Sequence, residues 1–232
     1  MTKHIGIFTM SYEGAALCYQ TICAEAPALM GEHRHPEITM HSFPLADYMR
    51  HVSKLDWEGA AGLLLESMGK VAGAGADFAI CPANTAHEAF DLVVPRAPIP
   101  WLHIVDVVAD AAKASGHSRL GILGTRFLME GKVYRDVLGR RGIEAVIPDA
   151  DARSRTNSLI YDELVKGILK PETNRFFRET VNALADDGCD AVVMGCTEIP
   201  LILKAEEVEV PLLDSTRLLA RAALRQACSA PA

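Results

Sequence analysis

The chain has 232 residues, half of them hydrophobic and 23% charged, enough apolar material for a packed core, and against a usual domain size of about 150 residues it fits one large or two small domains. A formal net charge of −7, with a pI near 5.6, argues against nucleic acid or an anionic membrane surface as a partner but leaves room for a small anion held locally. No run approaches the roughly 20 apolar residues of a spanning helix, and Met1 to Met10 has neither the length nor the small-residue cleavage site of a secretory signal, so a cytoplasmic protein with reduced thiols is expected.

In chain order, Ile5 to Phe8 is a short apolar run closed by the turn-like Thr9-Met-Ser-Tyr-Glu-Gly14, and it reads as a first buried strand. Cys18, Ile22 and Ala26 recur every four residues, one face of a helix from Ala15 to about Met30 that Pro27 should kink or end. Ile38 to Phe43 reads as the second strand, and Leu45 to His51 as a loop or short helix carrying Asp47 and Arg50. Trp57, Ala61, Leu64, Met68 and Val71 share the face of an amphipathic helix laid on the sheet. Phe78 to Ile80 leads into Cys81, and after Pro95, Pro98 and Pro100 the run Trp101 to Ile104 enters the last strand of a first half.

The second half begins with the strand Leu120-Gly-Ile-Leu-Gly-Thr125. A helix from about Leu128 to Arg141, a strand at Ala145 to Ile147, and helices across Ser158 to Leu169 and Glu172 to Asp186 lead to the apolar strand that opens at Asp190. A short helix follows, then a final strand at Val210 to Asp214. Asp214 or Ser215 caps a closing helix whose Leu218, Leu219 and Ala222 return to the core. Strands alternating with helices imply parallel sheets with right-handed crossovers.

Two of these strands end in a thiol. Gly75-Ala-Asp-Phe-Ala-Ile-Cys-Pro-Ala-Asn-Thr85 sets Cys81, Asn84 and Thr85 after one, and Asp190-Ala-Val-Val-Met-Gly-Cys-Thr197 sets Cys196 after the other. Cys81 and Cys196 are 115 positions apart (196 − 81), the offset that also separates Gly6 from Gly121 and Tyr19 from Tyr134. We read this as the duplication of an α/β half. Residues 1–100 then form a first domain and 101–214 a second, with the C-terminal helix, 215–232, packing back on the first. The fold class expected is α/β: two pseudo-symmetric domains, each a mainly parallel sheet flanked by helices, with the active site in the cleft between them. Ligands of such sheets bind beyond the carboxyl ends of the strands, where helix starts offer unpaired N–H groups. A lone strand-end Cys is ordinarily a small buried hydrophobe. A matched pair points to chemistry, with the helix start lowering the thiol pKa.

These residues resemble the aspartate/glutamate racemase family of cofactor-independent racemases. The most specific part is Gly195-Cys-Thr-Glu-Ile-Pro200. Asn84-Thr-Ala-His87, Gly124-Thr125, Met10-Ser-Tyr-Glu13 and Ile160-Tyr-Asp-Glu-Leu-Val-Lys166 support it, the last as the family's lysine-bearing helix. The resemblance covers nearly the whole chain. It implies 1,1-proton transfer at an α-carbon without pyridoxal phosphate, in a racemase or epimerase of a small, acidic amino acid of the aspartate or glutamate type. Two places depart from the family pattern. Ala83 stands where a first cysteine usually precedes the Asn-Thr pair, with Cys81 two positions earlier and so on the same strand face. Phe8-Thr9 stands where a double glycine usually precedes Met-Ser.

Removing an α-proton beside an ionised carboxylate builds a doubly charged, enediolate-like centre. Preorganised donors around it are each worth about 3 kcal/mol of barrier. Asn84, Thr85, Thr125 and Thr197 follow strand ends where donors converge, and the resemblance adds Ser11, although each alone also fits an ordinary helix cap. Inversion needs a base on one face and an acid on the other, the roles expected of Cys196 and Cys81. Arg50 and Lys166 suit a side-chain carboxylate or a plain solvated surface, and the resemblance singles out Lys166. His87 and His103 either tune the thiols or are hydrogen-bonded structural histidines. No cysteine has Cys or His neighbours at zinc-ligand spacing, so neither a metal nor a cofactor is expected. The expected partner is a small amino or dicarboxylic acid, with no nucleic acid and no membrane, and a homo-oligomer stays open. Two other readings stand beside this one. The first is a decarboxylase or cis-trans isomerase of a malonate- or maleate-like diacid on the same scaffold, the decarboxylase needing one thiol only. The second is a two-lobed small-molecule binding protein.

Overall fold

The computed structural model describes residues 2–229. They form two compact units: one runs to Ile104 and takes the chain back from Thr216, the other spans Val105–Ser215. The first unit holds β1 (Ile5–Thr9), α1 (Tyr12–Glu25), α2 (Pro27–Met30), β2 (Ile38–Ser42), α3 (Leu45–Val52), α4 (Trp57–Gly73), β3 (Phe78–Ile80), α5 (Phe90–Val93) and β4 (Trp101–Leu102). Next come α6 (Ile104–Ala114), β5 (Arg119–Leu123), α7 (Arg126–Met129), α8 (Val133–Arg140), β6 (Glu144–Val146) and α9 (Ala150–Asp162). The chain then forms α10 (Pro171–Asp186), β7 (Ala191–Met194), α11 (Ile199–Ile202) and β8 (Leu212–Asp214), and α12 (Ser215–Cys228) returns it to the first unit.

Both sheets are parallel, with the orders β2-β1-β3-β4 and β6-β5-β7-β8. The two orders are the same, so the duplication is a fact of topology. The central strands β1, β3 and β7 are buried along their whole length, which is why they read as unbroken apolar runs, whereas the edge strands β2 and β6 are partly exposed. In each sheet the chain leaves the first strand to one side and comes back on the other. The switch point, where open α/β sheets bind ligands, therefore lies between β1 and β3 in one unit and between β5 and β7 in the other.

Matching glycines set the helix-on-sheet distance. A Cβ on Gly6 would come within 2.8 Å of Val71 Cγ2 on α4, and one on Gly121 within 2.9 Å of Leu184 Cδ1 on α10. Matching aspartates join the strand starts. Asp77 takes a hydrogen bond from His4 N at 2.7 Å, and Asp190 from Ser118 N at 2.7 Å and Arg119 N at 3.2 Å. Each follows a glycine in the left-handed region, Gly75 (φ 97°) and Gly188 (φ 88°), where a side chain would be strained. The helix α12 is tied to the first unit by Cys18 Sγ, which donates to Thr216 O at 3.5 Å, and by the Arg221–Glu25 ion pair.

Several expected elements shift. Ser11 Oγ accepts from Gly14 N and starts the first helix earlier, and Pro27 divides it by taking the first position of α2. The strand expected at Trp101 to Ile104 stops at Leu102, because Ile104 opens α6, whose Val105, Val108, Ala109 and Ala112 are fully buried at helical spacing. The helix expected at Leu128 to Arg141 is two, α7 and α8. Asp149 caps α9, so the helix expected from Ser158 starts at Ala150. It stops at Asp162, and Leu164–Lys166 is a single 3₁₀ turn closed by left-handed Gly167. The core face of α12 is Leu219, Ala220, Ala223, Leu224 and Ala227, one step round from Leu218 and Ala222. The last residues of the helix expected at 215–232, namely 230–232, lie outside the described residues.

The glycine contacts have a measurable consequence. Gly6→Ala and Gly121→Ala are each expected to lower unfolding stability by about 1–3 kcal/mol through overpacking. Gly62→Ala, on an exposed face of α4 with no atom within 4 Å of the new Cβ, should instead raise it by about 0.5–1 kcal/mol. Urea midpoints at unchanged slope check both signs.

Candidate functional site

At the switch point of the second unit, β5 and β7 pair from Leu120↔Ala191 to Leu123↔Met194, and Gly195 N donates to Leu123 O at 2.7 Å, so the pairing runs one step past the strand ends. Only glycine permits this. A Cβ on Gly195 would run into Leu128 Cδ2 and lie 2.9 Å from Leu123 O, and one on Gly124 would sit 2.6 Å from the same Leu128 atom. Thr125, two residues past the end of β5, is the N-cap of α7, and Cys196 follows Gly195 directly.

Cys196 is half-buried, its stem packed on the apolar cluster that includes Leu123, Met194, Ile199 and Ile202. Its Sγ donates to Glu198 Oε2 at 2.7 Å, and Glu198 is itself only 5% exposed. Burial and the adjacent carboxylate push the thiol well above its usual pKa, although the N–H groups of Glu198 and Thr197 favour the thiolate. This corrects the expectation that the helix start lowers it. The helix α11 has only four residues and begins at Ile199, so its end carries little field against a carboxylate in contact with the sulfur. Tyr161, on α9, completes the group. Burial pushes its phenol up to about 12, with the Cys196 and Glu198 charges adding to the shift.

The first unit differs at the matching place. The registers pair Gly6 with Ala79 and Gly121 with Val192, so the offset between β3 and β7 is 113 (192 − 79), not the 115 suggested by the cysteines. The same 113 relates Gly75 to Gly188 and Asp77 to Asp190. Ala83 therefore holds the place of Cys196, Thr85 that of Glu198, and Cys81 that of Met194. Burial follows this register: Cys81 and Met194 are both buried, while Ala83 and Cys196 are both half-exposed. Burial also pushes the Cys81 thiol up to about 12, against a backbone N–H from Ala83 that favours the thiolate.

Ser11 caps α1, taking Gly14 N at 3.3 Å, while its own N–H donates to Thr9 Oγ1 at 3.0 Å. Asn84 is buried and Thr85 half-buried at the start of the 3₁₀ turn Asn84–Ala89. His87 is a structural histidine. Its Nδ1 donates to Ala83 O at 3.2 Å, and its ring lies 4.7 Å from Trp101 and 4.9 Å from His103. Burial and His103 hold it well below the usual range, so it stays neutral.

The structure thus gathers Thr125, Cys196 and Thr197 at one switch point and Ser11, Asn84 and Thr85 at the other. Cys81 is withdrawn from solvent. Arg50 is exposed on α3 in an ion pair with Asp47 at 3.2 Å, and Lys166 is exposed on its 3₁₀ turn. A hollow in the second unit beside Asp186, Glu206, Glu207 and Glu209 is acidic and suits no anionic substrate. Among the described residues no group of His, Cys, Asp and Glu side chains is placed to hold a metal ion, and no helix is long and apolar enough to cross a membrane. Glu198 and Tyr161 are the residues that sequence reasoning missed. Both sit inside motifs singled out for a neighbour, Cys196 in one and Lys166 in the other.

The Asp/Glu/Hydantoin racemase family model matches residues 7–223. The broad specificity amino-acid racemase RacX of Bacillus subtilis is 23% identical over 192 residues, 81% of this chain and 80% of that one. Among solved structures, a candidate Asp/Glu racemase from Yersinia pestis superposes with a TM-score of 0.90 at 32% identity, over 98% of this chain and 100% of that one. PH1733, an aspartate racemase homologue from Pyrococcus horikoshii, gives 0.84 at 27% identity with the same coverage.

The two thiols should differ in reactivity. In native protein at pH 8, iodoacetamide is expected to leave Cys81 unmodified while Cys23 and Cys228, both partly exposed, react. Peptide mass spectrometry reads this, and modification of Cys81 at a rate like theirs would contradict its burial.

Proposed function

We propose that this chain, which belongs to the Asp/Glu/Hydantoin racemase family, moves a proton at the α-carbon of a small amino acid through the thiol of Cys196. Membership places it among the racemases, which are isomerases. The observation that carries the reading is a half-buried thiol in contact with a carboxylate at the switch point of a parallel sheet. Thr125, just past the end of the neighbouring strand β5, and Thr197, next to Cys196 in the chain, supply hydroxyl donors for the substrate carboxylate as charge builds on it. Ser11, Asn84 and Thr85 hold the corresponding switch point of the first unit. The substrate is a small amino acid, with aspartate and glutamate to be tried first. No cofactor is called on, since the charge of the carbanion spreads into the substrate's own carboxylate.

The reaction would run as follows. Cys196 as thiolate takes the α-proton, the C–H bonding pair enters the carboxylate π-system, and a water molecule on the opposite face gives a proton to the carbanion, leaving hydroxide and inverting the centre. A second thiol is not proposed for that face, because Ala83 holds the place of Cys196 in the first unit and Cys81 is buried. Ala83 also favours a second reading, in which the enzyme decarboxylates a substituted malonate. There the C–CO₂ bond breaks, its electron pair forms the same enediolate, and Cys196 protonates one face only.

Chiral chromatography of a panel of L- and D-amino acids should show Cys196→Ala losing about 10²–10⁴-fold in kcat/KM, the usual scale of a general acid–base group. Cys81→Ala should stay within about threefold of wild type, as expected for a buried thiol outside the chemistry. Wild-type rates in Cys196→Ala would refute the assignment. Failure of wild type on the whole panel, with carbon dioxide released from a substituted malonate, would replace racemisation by decarboxylation.

A further inference from the structure

Resting on the reading of Cys196 as the reacting thiol, we propose that Glu198 is a positioning residue that shares one proton with Cys196, so that the pair supplies the acid form and the base form of the sulfur in turn. The geometry points to this. Sγ and Oε2 are 2.7 Å apart, the carboxylate is almost wholly removed from water, and the sulfur's stem lies on the apolar core. Two negative charges at that separation in a poorly solvated site repel strongly, so the pair keeps one proton between them. The other titratable group facing it is Tyr161, from α9, which stays a neutral phenol. The N–H groups of Thr197 and Glu198 steady the sulfur when it is a thiolate.

Two arrangements then carry the same charge of minus one: a thiol donating to the carboxylate, and a thiolate accepting from the carboxylic acid. In the second arrangement the sulfur takes the α-proton. The C–H bond breaks, an S–H bond forms, and the bonding pair passes to the substrate carboxylate. Glu198 remains a neutral acid throughout that step, so no second anion confronts the growing carbanion. Reversal returns the proton to carbon and restores the thiolate beside the acid. The first unit supports the assignment independently, because the places of Cys196 and Glu198 are held there by Ala83 and Thr85, and thiol and carboxylate are absent together.

The test needs no substrate, so its failure is distinct from failure of the racemase reading. Full-length protein is alkylated with iodoacetamide across a pH series, and each cysteine is followed by peptide mass spectrometry. Relative to wild type, Glu198→Gln should lower the pH midpoint for Cys196 by at least about one unit, because the neutral amide no longer opposes the thiolate. The profiles of Cys23 and Cys228 should not move, which reports an intact fold. A Cys196 midpoint unchanged in a folded Glu198→Gln protein overturns the proposal. If that variant does not fold, Glu198→Asp, which draws the carboxylate back by one methylene, must lower the midpoint by at least about half a unit. No shift there overturns the proposal as well.

Discussion

The hydrogen bond from Gly195 N to Leu123 O keeps β5 and β7 together one residue beyond their formal ends, and the site depends on it. With glycine at 124 and 195, Leu128 can close over the paired backbones. Cys196 is then delivered onto the rim of the apolar core instead of into solvent. From below, Ser215 Oγ donates to Met194 O at 2.9 Å, and the buried Tyr134 hydroxyl bonds to Ser215 in turn. A rigid strand end thus holds a sulfur half out of water, and the chain direction beyond it returns Glu198 to within 2.7 Å. Desolvation and the carboxylate both oppose the thiolate, so the ground state is a protonated thiol. Reactivity at such a sulfur has to come from its neighbours and not from a helix end.

The fold was legible because its central strands are buried on both faces. Ile5 to Phe8, Phe78 to Ile80 and the run after Asp190 show as apolar blocks between turn signals, and the duplicated strand order follows from their alternation with helices. The helix α6 was not legible in the same way. Val105, Val107 and Val108 give it a strand-like, β-branched composition, and only the burial of Val105, Val108, Ala109 and Ala112 makes the helical period plain. Tertiary packing overrode local preference there.

The repeat was legible and its phase was not. Two identical residues 115 apart invited the alignment of Cys81 with Cys196, yet register is fixed by backbone features: Gly6 and Gly121 under their helices, and Asp77 and Asp190 at the strand starts. A shift of two keeps a side chain on the same strand face but moves it back along the strand, which is how Cys81 comes to match a core methionine. The charged residues were harder still. Nothing in a sequence separates Lys166, which is exposed, from Tyr161 five residues earlier, which lies by the thiol, because the helix that carries Tyr161 gives way to a turn at Asp162.

In the proposed reaction the sulfur of Cys196 moves the α-proton. Proton NMR of L- and D-aspartate and L- and D-glutamate in deuterated buffer tests it directly, by following loss of the α-proton signal with wild type and with Cys196→Ala. At least one of these α-protons should exchange with wild type and none with the variant. Exchange that persists in Cys196→Ala at the wild-type rate would contradict it.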